Sequence, residues 1–523
     1  MNLFSRLINS WTGNKSAGES YYHFELATSD LDDDEHAEYN RSAASLPTTT
    51  KTRLPTSRVI MLSLALGGLQ FFWSTIMANL VPFLRSLGLS KPVVAASMIS
   101  QPLSGTLVGP WVGAFSDGLQ TKWGRRRPVM VLGAVSATAL LILLAWVDEW
   151  VHLLTCQLNQ CGEYEQSVQH FVQGVAVTLV VGLSIAVQPF QSGARSIIID
   201  NLPAGQQNEA NVSSSRIICI GGVAGFLAGT IDIPSVFNNS YQITQLQGLA
   251  VLNAVVITSS VGATCFVFKE SSQSCFRDGR GPRPLVNIWR STHGLPDVIR
   301  KVCMVQFFAW SAWYSLLYYT TTFIAELAAV VASNGGTHAV QSKATDGRAL
   351  RTGVFASLCF ALVALSAAIV IPMILAWVEK THLGRTGEGM EKQTSNHAIL
   401  ARLWMGSQAL CGILMLASVV VASPPQGVLL ISLLGVPWAV TQWVPLAIIG
   451  CEVADARHEE MHAGTVLGIH NVAISAPQIL AGLMATIVYA AADAAGSRVP
   501  TAWVLAFGGC AAVYASRLAV DLI

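Results

Sequence analysis

About twelve long stretches of this chain are nearly free of charged residues, and short polar segments separate them. Each stretch is close to the roughly 20 apolar residues that an α-helix needs to cross the hydrocarbon core of a bilayer. Hydrophobic residues make up 52% of the 523 residues and charged residues only 12%, whereas a soluble globular chain has about a quarter of its residues charged. The sequence therefore predicts an all-α polytopic membrane protein.

The predicted spans form two groups of six, separated by a central polar segment that is rich in arginine. The first group lies within residues 58–268 and the second within residues 302–523. Residues 1–57 are polar and contain an acidic run, which predicts a disordered cytoplasmic tail, and residues 269–301 form a predicted cytoplasmic loop. The predicted spans are 59–84, 93–115, 129–147, 168–190, 217–231, 246–268, 302–331, 354–377, 403–421, 428–449, 465–489 and 502–520.

The balance of positive charge between the loops predicts the orientation of the chain, with exceptions on the opposite side at Arg85, Lys91, Lys343, Arg348, Arg351 and Arg498. Loop 116–128, SDGLQTKWGRRRP, contains Lys122 and three consecutive arginines, and loops rich in positive charge face the cytoplasm. The loops after spans 3, 5 and 9 contain no Lys or Arg. Both termini are therefore expected in the cytoplasm, with the plasma membrane favoured over the vacuole. Asn238, in an Asn-Asn-Ser sequon, is then expected outside and glycosylated.

Two groups of six spans favour a secondary transporter over other classes of membrane protein. In such transporters two halves rock around a substrate near the middle of the membrane. The sequence shows no pore-loop filter for a channel, and no nucleophile–base constellation or nucleotide motif for an enzyme. Ten scattered cysteines lack metal-ligand spacing, so neither a metal nor another cofactor is expected, and no nucleic-acid partner. Cys156 and Cys161 share a predicted outer loop, where a disulfide is one alternative.

Six sequence blocks, in order, resemble the sucrose and α-glucoside transporters of plants and fungi. They lie at 68–91, 102–117 with the following GRRRP turn, 191–203, 305–326, 435–448 and 464–478. These transporters belong to the glycoside–pentoside–hexuronide:cation symporter group of the major facilitator superfamily, and the fungal members are the most similar. The resemblance implies the twelve-helix major facilitator fold and transport of a sugar by alternating access.

By the same resemblance, charged residues at the inner ends of the helices take part in gating. Asp117, Arg125, Arg126 and Arg127 are expected to form charge networks between helix ends that stabilise one access state. The alternative is that they only anchor the topology. Asp200, at the inner end of span 4, is expected to support the gate or to form a structural ion pair.

Candidate contacts with the sugar come from spans 4, 7, 10 and 11. A charge inside the membrane is costly unless it is paired or hydrated, and the resemblance implies that the arginine of span 4 helps to bind sugar. Aromatic faces pack against pyranose rings, and polar groups hydrogen-bond to their hydroxyls. Ordinary packing and hydrogen bonds between helices are the alternatives. The candidates are Arg195, Trp310, Trp313, Tyr314, Gln442 and Asn471.

Two carboxylates expected from the resemblance are absent. The resembled transporters have an Asp eleven residues before the arginine of span 4, where this chain has Ser184, and the fungal members have a Glu in span 1, where this chain has Ile76. Neither residue can cycle a proton, which symport requires of a group near the membrane centre. Either another residue, Glu326, Asp200 or His470, couples transport to protons, or the protein is a facilitator that does not use a proton gradient.

The sequence thus predicts a fungal-type transporter, embedded in the lipid bilayer, of sucrose, maltose, another α-glucoside or a sugar-like polar molecule. Glu326, at the outer end of span 7, is a further candidate for gating or binding, or is a solvated acid at a helix end. An exporter of a secondary metabolite is the first alternative. A non-transporting sugar sensor is the second, although a central loop of 33 residues is short for a regulatory domain.

Overall fold

The structure is a computed structural model of the chain. It describes residues 53–119, 121–158, 165–236, 243–268, 294–334, 343–382, 390–454 and 462–523, and within these ranges every regular element is a helix. The prediction of an all-α fold is therefore confirmed. Residues 1–52 of the predicted tail, most of the central loop, Cys161 and the sequon at Asn238 lie outside the described residues.

Twelve long helices correspond one to one with the predicted spans. They are α1 Thr56–Ser86, α2 Lys91–Asp117, α3 Arg126–Ala145, α4 Glu165–Asn201, α5 Ala204–Thr230, α6 Gln245–Val267, α7 Asp297–Asn334, α8 Lys343–His382, α9 Met390–Leu416, α10 in two pieces, Pro424–Leu433 and Gly435–Ala454, α11 Ala463–Ala494 and α12 Pro500–Ala519. Short helices at Val147–Leu158 and Ile233–Val236, and 3₁₀ turns at Ala417–Val420 and Val520–Leu522, complete the described elements.

Eleven of these helices are long and apolar enough to cross a membrane. Helix α2 is also long, at 27 residues, but it is less apolar because it contains Pro102, Pro110 and several serines and glycines. Its small residues face α4 and α11 rather than lipid. Hydropathy measures suitability for lipid, so a helix that packs one face of small residues against other helices can have a weaker signal.

Helices α4 and α5 extend well beyond their predicted spans. Helix α4 continues from residue 190 to Asn201, and α5 begins at Ala204 rather than at residue 217. Many of the polar residues of these added turns are buried against protein. The Nε2 of Gln207, for example, donates to the carbonyls of Ile199 and Leu202 and so satisfies the last turn of α4. A hydropathy pattern cannot detect turns of this kind.

The most extensive contacts between the first six and last six helices lie along three pairs of helices, with smaller contacts from α4 to α10 and α11. Helix α2 packs against α11, and α5 packs against both α8 and α10. The α2–α11 contact is very close, since a Cβ on Gly113 would lie 2.1 Å from the carbonyl oxygen of Gly464, and one on Gly468 would lie 2.7 Å from the Cα of Pro110. Glycine at these positions lets the two backbones touch, as small residues do between membrane helices.

The helices alternate in direction, so each end of the bundle can be named by the predicted orientation. The even-numbered helices end, and the odd-numbered helices begin, at the end where Asp117 and Arg126 lie. We call this the predicted inner side, and the opposite end, where α7 and α11 finish, the predicted outer side.

Candidate functional site

Two adjoining cavities lie between the first six and the last six helices. The central cavity has a volume of about 100 Å³ and is lined by α1, α2, α4, α5, α7, α10 and α11. The outer cavity has a volume of about 270 Å³ and extends from it towards the predicted outer side. The lining residues that the two share are Trp73, Met77, Gln101 and Leu317. Substrate-sized space therefore runs through the interface between the two groups of helices.

Seven of the 18 lining residues of the central cavity have amide side chains. Asn471 joins three helices here, because its Nδ2 donates to the carbonyl of Gly105 (2.9 Å) and to Oε1 of Gln188 (3.2 Å), while its Oδ1 accepts from Nε2 of Gln191 (3.0 Å). Gln442 also lines the cavity, and its amide makes no hydrogen bond to any described residue. This surface presents both donors and acceptors to a polar ligand.

Arg195 lies in the wall of the central cavity and of a small adjoining cavity of about 20 Å³. Its guanidinium makes no hydrogen bond or ion pair with any residue that the structure describes. Asp200, five residues further along α4, instead binds Arg125 and Arg126. None of the described residues lining the central, outer and small cavities is an Asp or Glu. Arg195 is therefore the single charged residue among these lining residues.

The three aromatic candidates of α7 have different environments. Trp310 lines the central cavity and packs edge-on against Trp438 of α10, with ring centroids 5.9 Å apart. Trp313 is fully buried against the same Trp438, and Tyr314 packs against Tyr318 at 4.6 Å. Neither Trp313 nor Tyr314 is a lining residue of the two cavities. The structure thus brings Trp310, and not its two neighbours, to the cavity.

Ser184 and Ile76, which occupy the positions of the expected carboxylates, both line the outer cavity. The hydroxyl of Ser184 donates to the carbonyl of Val180 and lies 2.9 Å from the hydroxyl of Ser100. Ile76 is buried among apolar side chains of the first six helices. A carboxylate at either position would face the cavity directly, so these substitutions change its charge.

The outer cavity is less polar than the central one. Many of its lining residues are Leu, Ile, Val, Met or Phe. Most of its hydroxyl groups already donate to the backbone of their own helix or to a neighbouring amide. These hydroxyls belong to Ser97, Ser100, Ser184, Tyr318, Thr320 and Ser357. The outer cavity therefore suits an apolar group better than a second set of ligand hydroxyls.

A buried charge network closes the predicted inner side of the first six helices. Arg126 has no exposed surface, and it donates to Oδ2 of Asp200 at 2.6 Å, to Asp117 and to Ser116. Arg125 reaches the same oxygen of Asp200 at 3.0 Å. Two carboxylates thus share one buried guanidinium, and the network ties together the ends of α2, α3 and α4.

Contacts from this network reach α6 and α11. Arg127 donates to the carbonyl of Cys265 on α6 at 2.8 Å. Asp117 accepts hydrogen bonds from the backbone N–H groups of Gly464 (3.0 Å) and Thr465 (2.6 Å) and from the Thr465 hydroxyl (2.6 Å). The first N–H groups of a helix lack partners within the helix, and the positive end of its dipole favours an anion. Asp117 therefore binds the first six helices to the last six.

Glu326 lies within the last six helices, at the predicted outer side. Its carboxylate accepts hydrogen bonds from the backbone N–H (2.9 Å) and hydroxyl (2.7 Å) of Thr501 at the start of α12, and from the hydroxyl of Tyr489 on α11 (3.2 Å). This arrangement caps α12 in the way that a side-chain oxygen satisfies the free N–H groups of a helix start. All three of these contacts join helices of the same group.

Several lining residues of the central cavity were not candidates from the sequence. They are Gln70, Trp73, Gln101, Gln188, Gln191 and Trp438. Trp438 could have been found, because it precedes Gln442 by four residues and so shares its helix face. The glutamines of α1, α2 and α4 offered a weaker signal, since uncharged amides in spans more often join helices than bind ligands.

A bundle of twelve helices with a polar cavity between its two groups, and a network that closes one side of it, defines a membrane transporter. This class works by alternating access, in which the cavity is exposed first to one side and then to the other. The chain belongs to the Major Facilitator Superfamily, whose family model matches residues 62–482.

Comparison with known proteins agrees with this assignment. The chain is 27% identical to a general alpha-glucoside permease of Schizosaccharomyces pombe, over 88% of this chain and 92% of the permease. It is 24% identical to the sucrose transport protein SUT5 of Oryza sativa subsp. indica, over 82% of this chain and 81% of that protein.

Solved structures share the fold at low sequence identity. A bacterial homologue of the iron transporter ferroportin, in its outward-facing state, superposes with a TM-score of 0.56 at 12% identity, over 89% of this chain and 98% of that one. The human organic anion transporter MFSD10 superposes with a TM-score of 0.54 at 16% identity, over 89% and 100% of the two chains. These likenesses support the fold alone.

Proposed function

We propose that the protein carries a sugar, such as sucrose, maltose or another α-glucoside, or a sugar-like small polar molecule, across a membrane by alternating access. The observation that carries the proposal is the central cavity, in which amides from both groups of helices surround one arginine. Amides and a guanidinium suit a ligand rich in hydroxyls, and aromatic faces such as Trp73 and Trp310 suit the apolar faces of a sugar ring. The alpha-glucoside permease and the sucrose transport protein among the relatives support this substrate class.

The binding contacts that we propose are those of Arg195, Trp310, Gln442 and Asn471. Each lines the central cavity. Trp313 is proposed to hold the position of Trp438 rather than to contact the ligand, because it is fully buried against that ring.

The network around Arg126 is proposed as the inner gate. Residues 58–268 and 302–523 would move as two halves, and the bonds from Asp117 to the start of α11 would have to break when the inner side opens. Closure would be favoured by the charge of Asp117 at a helix N-terminus and by the backbone contact between α2 and α11. Glu326 is proposed to stabilise the last six helices by capping α12. This cap would keep the outer ends of these helices together while they move as one half.

Transport is proposed not to depend on a proton gradient, because the two positions at which the resembled transporters have carboxylates are not titratable here. Ser184 and Ile76 supply no titratable group, and the described lining residues of the cavities include no carboxylate. The protein is proposed to work as a carrier and not as an enzyme. We place it in the plasma membrane, with both termini in the cytoplasm and Asn238 glycosylated outside.

Export of a secondary metabolite is the second candidate function. The specific observation in its favour is the outer cavity, which is largely apolar and whose hydroxyls mostly donate within the protein. A second sugar ring would find few free partners there, whereas an apolar substituent would be accommodated.

Reconstitution in liposomes tests the proposal. Purified protein is given radiolabelled sucrose or maltose, with and without an inward proton gradient. The expected result is saturable uptake that the gradient does not change. Accumulation driven by the gradient would contradict the argument from Ser184 and Ile76. Absence of uptake of either sugar, together with efflux of a less polar glycoside from preloaded vesicles, would favour the exporter.

A further inference from the structure

Arg195 is a cation that lines the cavity and has no counter-ion among the described residues. We propose that Arg195 forms an anion-binding site, and that an acidic group, such as a carboxylate or phosphate, pairs with it during transport. The inference rests on the proposed function, because it assigns a charge to the ligand of the same cavity. The anion is either part of the transported molecule or a small inorganic anion bound beside a neutral sugar.

The carboxylates nearest to Arg195 along the chain and at the inner side are engaged elsewhere. Asp200 is bound by Arg125 and Arg126, and Asp117 is bound by Arg126 and by the start of α11. Glu326 caps α12 on the predicted outer side. Among the described residues lining the three cavities around Arg195, the polar side chains other than Arg195 are uncharged. The described lining residues therefore offer this guanidinium no negative partner.

The two positions where the resembled transporters have acids add no negative charge to balance Arg195. Ser184 lines the outer cavity at a position three helical turns from Arg195 on α4, and Ile76 lines it from α1. An ionised carboxylate at either position would offset the charge of Arg195 within the same chamber. With serine and isoleucine in their place, the lining residues have a net charge of +1 from Arg195.

A second arginine in the bundle has a hydrogen-bond partner within the protein and provides a comparison. Arg216 of α5 donates through its Nε to the carbonyl of Ala368 on α8, at 3.2 Å, and it does not line the cavities. Arg216 thus joins two helices. Arg195 has no such bond to the described residues and faces open space, as expected of a group whose partner is a ligand.

The physical argument is the cost of a charge inside the membrane that no described residue pairs with. Such a charge at membrane depth is unfavourable unless water or an opposite charge compensates it. Sugar hydroxyls can replace water but bring no charge, whereas a carboxylate or phosphate forms two parallel hydrogen bonds with a guanidinium. Binding an anion makes the loaded cavity neutral, and this favours movement of the loaded carrier over that of the empty one.

The shape of the chamber agrees with a ligand of two parts. The acidic group would lie in the central cavity beside Arg195 and the free amide of Gln442, and the remainder would extend into the larger, less polar outer cavity. A glycoside with one acidic group and an apolar substituent has this distribution of polarity.

Matched pairs of ligands test the site on the purified full-length protein in nanodiscs. One pair is phenyl α-glucoside and its uronate, in which a carboxylate replaces the primary alcohol, and the other is sucrose and sucrose 6-phosphate. Affinities are measured by calorimetry in chloride-free and phosphate-free buffer. We expect the anionic member of at least one pair to bind about 10- to 100-fold more tightly, the range for hydrogen bonds to charged groups.

Variants link this preference to the guanidinium. Arg195→Gln should reduce the ratio of anionic to neutral affinity to about one, and Arg195→Lys should retain much of it. Arg216→Gln is the matched control, since it removes a partly buried cation outside the cavities, and it should leave the ratio unchanged. Size-exclusion profiles and thermal unfolding establish that each variant is folded.

A chloride titration with the neutral sugars separates the two sources of the anion. If binding of neutral sugar strengthens with chloride in the wild type and not in Arg195→Gln, the site takes an inorganic anion. A preference for the uronate or the phosphate ester, without an effect of chloride, means that the transported molecule brings the charge.

Other results overturn the inference. It fails if neutral sugars bind as tightly as their anionic partners and chloride has no effect, or if the preference persists in Arg195→Gln. In that case saturable uptake of sucrose or maltose by wild-type liposomes would still support the proposed function. If no ligand of either pair binds at millimolar concentration and neither sugar is taken up, both proposals fail.

Discussion

The Oδ2 atom of Asp117, at the end of α2, accepts a hydrogen bond of 2.6 Å from the backbone N–H of Thr465, in the first turn of α11. These residues are 348 positions apart in the chain. The bond joins the first six helices to the last six at the predicted inner side. Together with the second bond to the N–H of Gly464, it makes Asp117 a helix cap whose helix belongs to the opposite half.

Asp117→Asn should weaken closure of the inner side. The substitution keeps the size of the side chain but removes the charge that faces the N-terminus of α11 and the guanidinium of Arg126, a loss of about 1–3 kcal/mol. We expect faster labelling of Leu467→Cys, next to the cavity of Arg195, by an impermeant thiol reagent applied from the inner side. A background without other reactive cysteines is needed. Asp521→Asn, at an exposed ion pair, is the control, and equal labelling in both would contradict the gate.

Arg126 and Arg125 should differ strongly in their contribution to stability. Arg126→Gln leaves two buried carboxylates without their shared cation and should destabilise the fold by about 3–5 kcal/mol. Arg125→Gln removes a partly exposed partner of Asp200 and should cost about 0–1 kcal/mol. Thermal unfolding in detergent measures both. Similar losses of unfolding free energy in the two variants would show that burial does not determine how much each arginine contributes to stability.

Gly113→Ala should separate α2 from α11. A Cβ at this position would lie 2.1 Å from the carbonyl oxygen of Gly464, so the backbones must move apart, at a cost of about 1–3 kcal/mol. We expect slower sugar uptake and easier opening of the inner side, measured by liposome flux and by the same cysteine labelling. Gly262→Ala is the matched control, because a Cβ there meets nothing within 4 Å. Normal uptake by Gly113→Ala would exclude this contact from the transport cycle.

Gln442→Ala should weaken binding of the transported sugar. The amide lines the central cavity and has no partner among the described residues, so its hydrogen bonds are available to a ligand. Loss of one or two such bonds should raise the half-saturation constant for uptake by about 5- to 20-fold. Gln166→Ala, at the exposed start of α4, serves as the control. An unchanged constant for Gln442→Ala would remove this residue from the site.

Ser184→Asp should introduce proton dependence into uptake. The new carboxylate would face the outer cavity on the helix of Arg195, and a buried carboxyl group there favours protonation before it crosses the membrane. Sugar uptake by this variant should increase with an inward proton gradient, whereas Ser184→Asn, of equal size, should not respond. No response in either variant would mean that this position does not control coupling.

The sequence predicted the general architecture well because hydropathy reports directly on contact with lipid. It indicated every one of the twelve spans, and the resemblance of its motifs indicated the family. It missed the last eleven residues of α4 and the first thirteen of α5, in which many polar residues are buried against neighbouring helices. Turns whose polar residues pack against protein carry no hydropathy signal.

The candidate site was predicted only in part. Arg195, Gln442, Asn471 and Trp310 do line the central cavity, while Trp313, only three residues from Trp310, packs into the core. One turn of helix holds 3.6 residues, so neighbouring aromatics face different surroundings, and the rotation of α7 in the bundle decides which one reaches the cavity.

By itself, the sequence determined that this protein crosses a membrane about twelve times, which loops carry its positive charge, and to which family it belongs. Those properties are local, since the spans and loop charges depend on the composition of stretches of about 20 residues, and the family on short motifs. Only the tertiary structure decided that Asp200 binds Arg125 and Arg126, that Asp117 caps α11, and that Arg195 faces a cavity whose described lining residues include no carboxylate. Partners of this kind are set by helix rotation and by contacts between residues far apart in the chain, and a linear pattern contains neither.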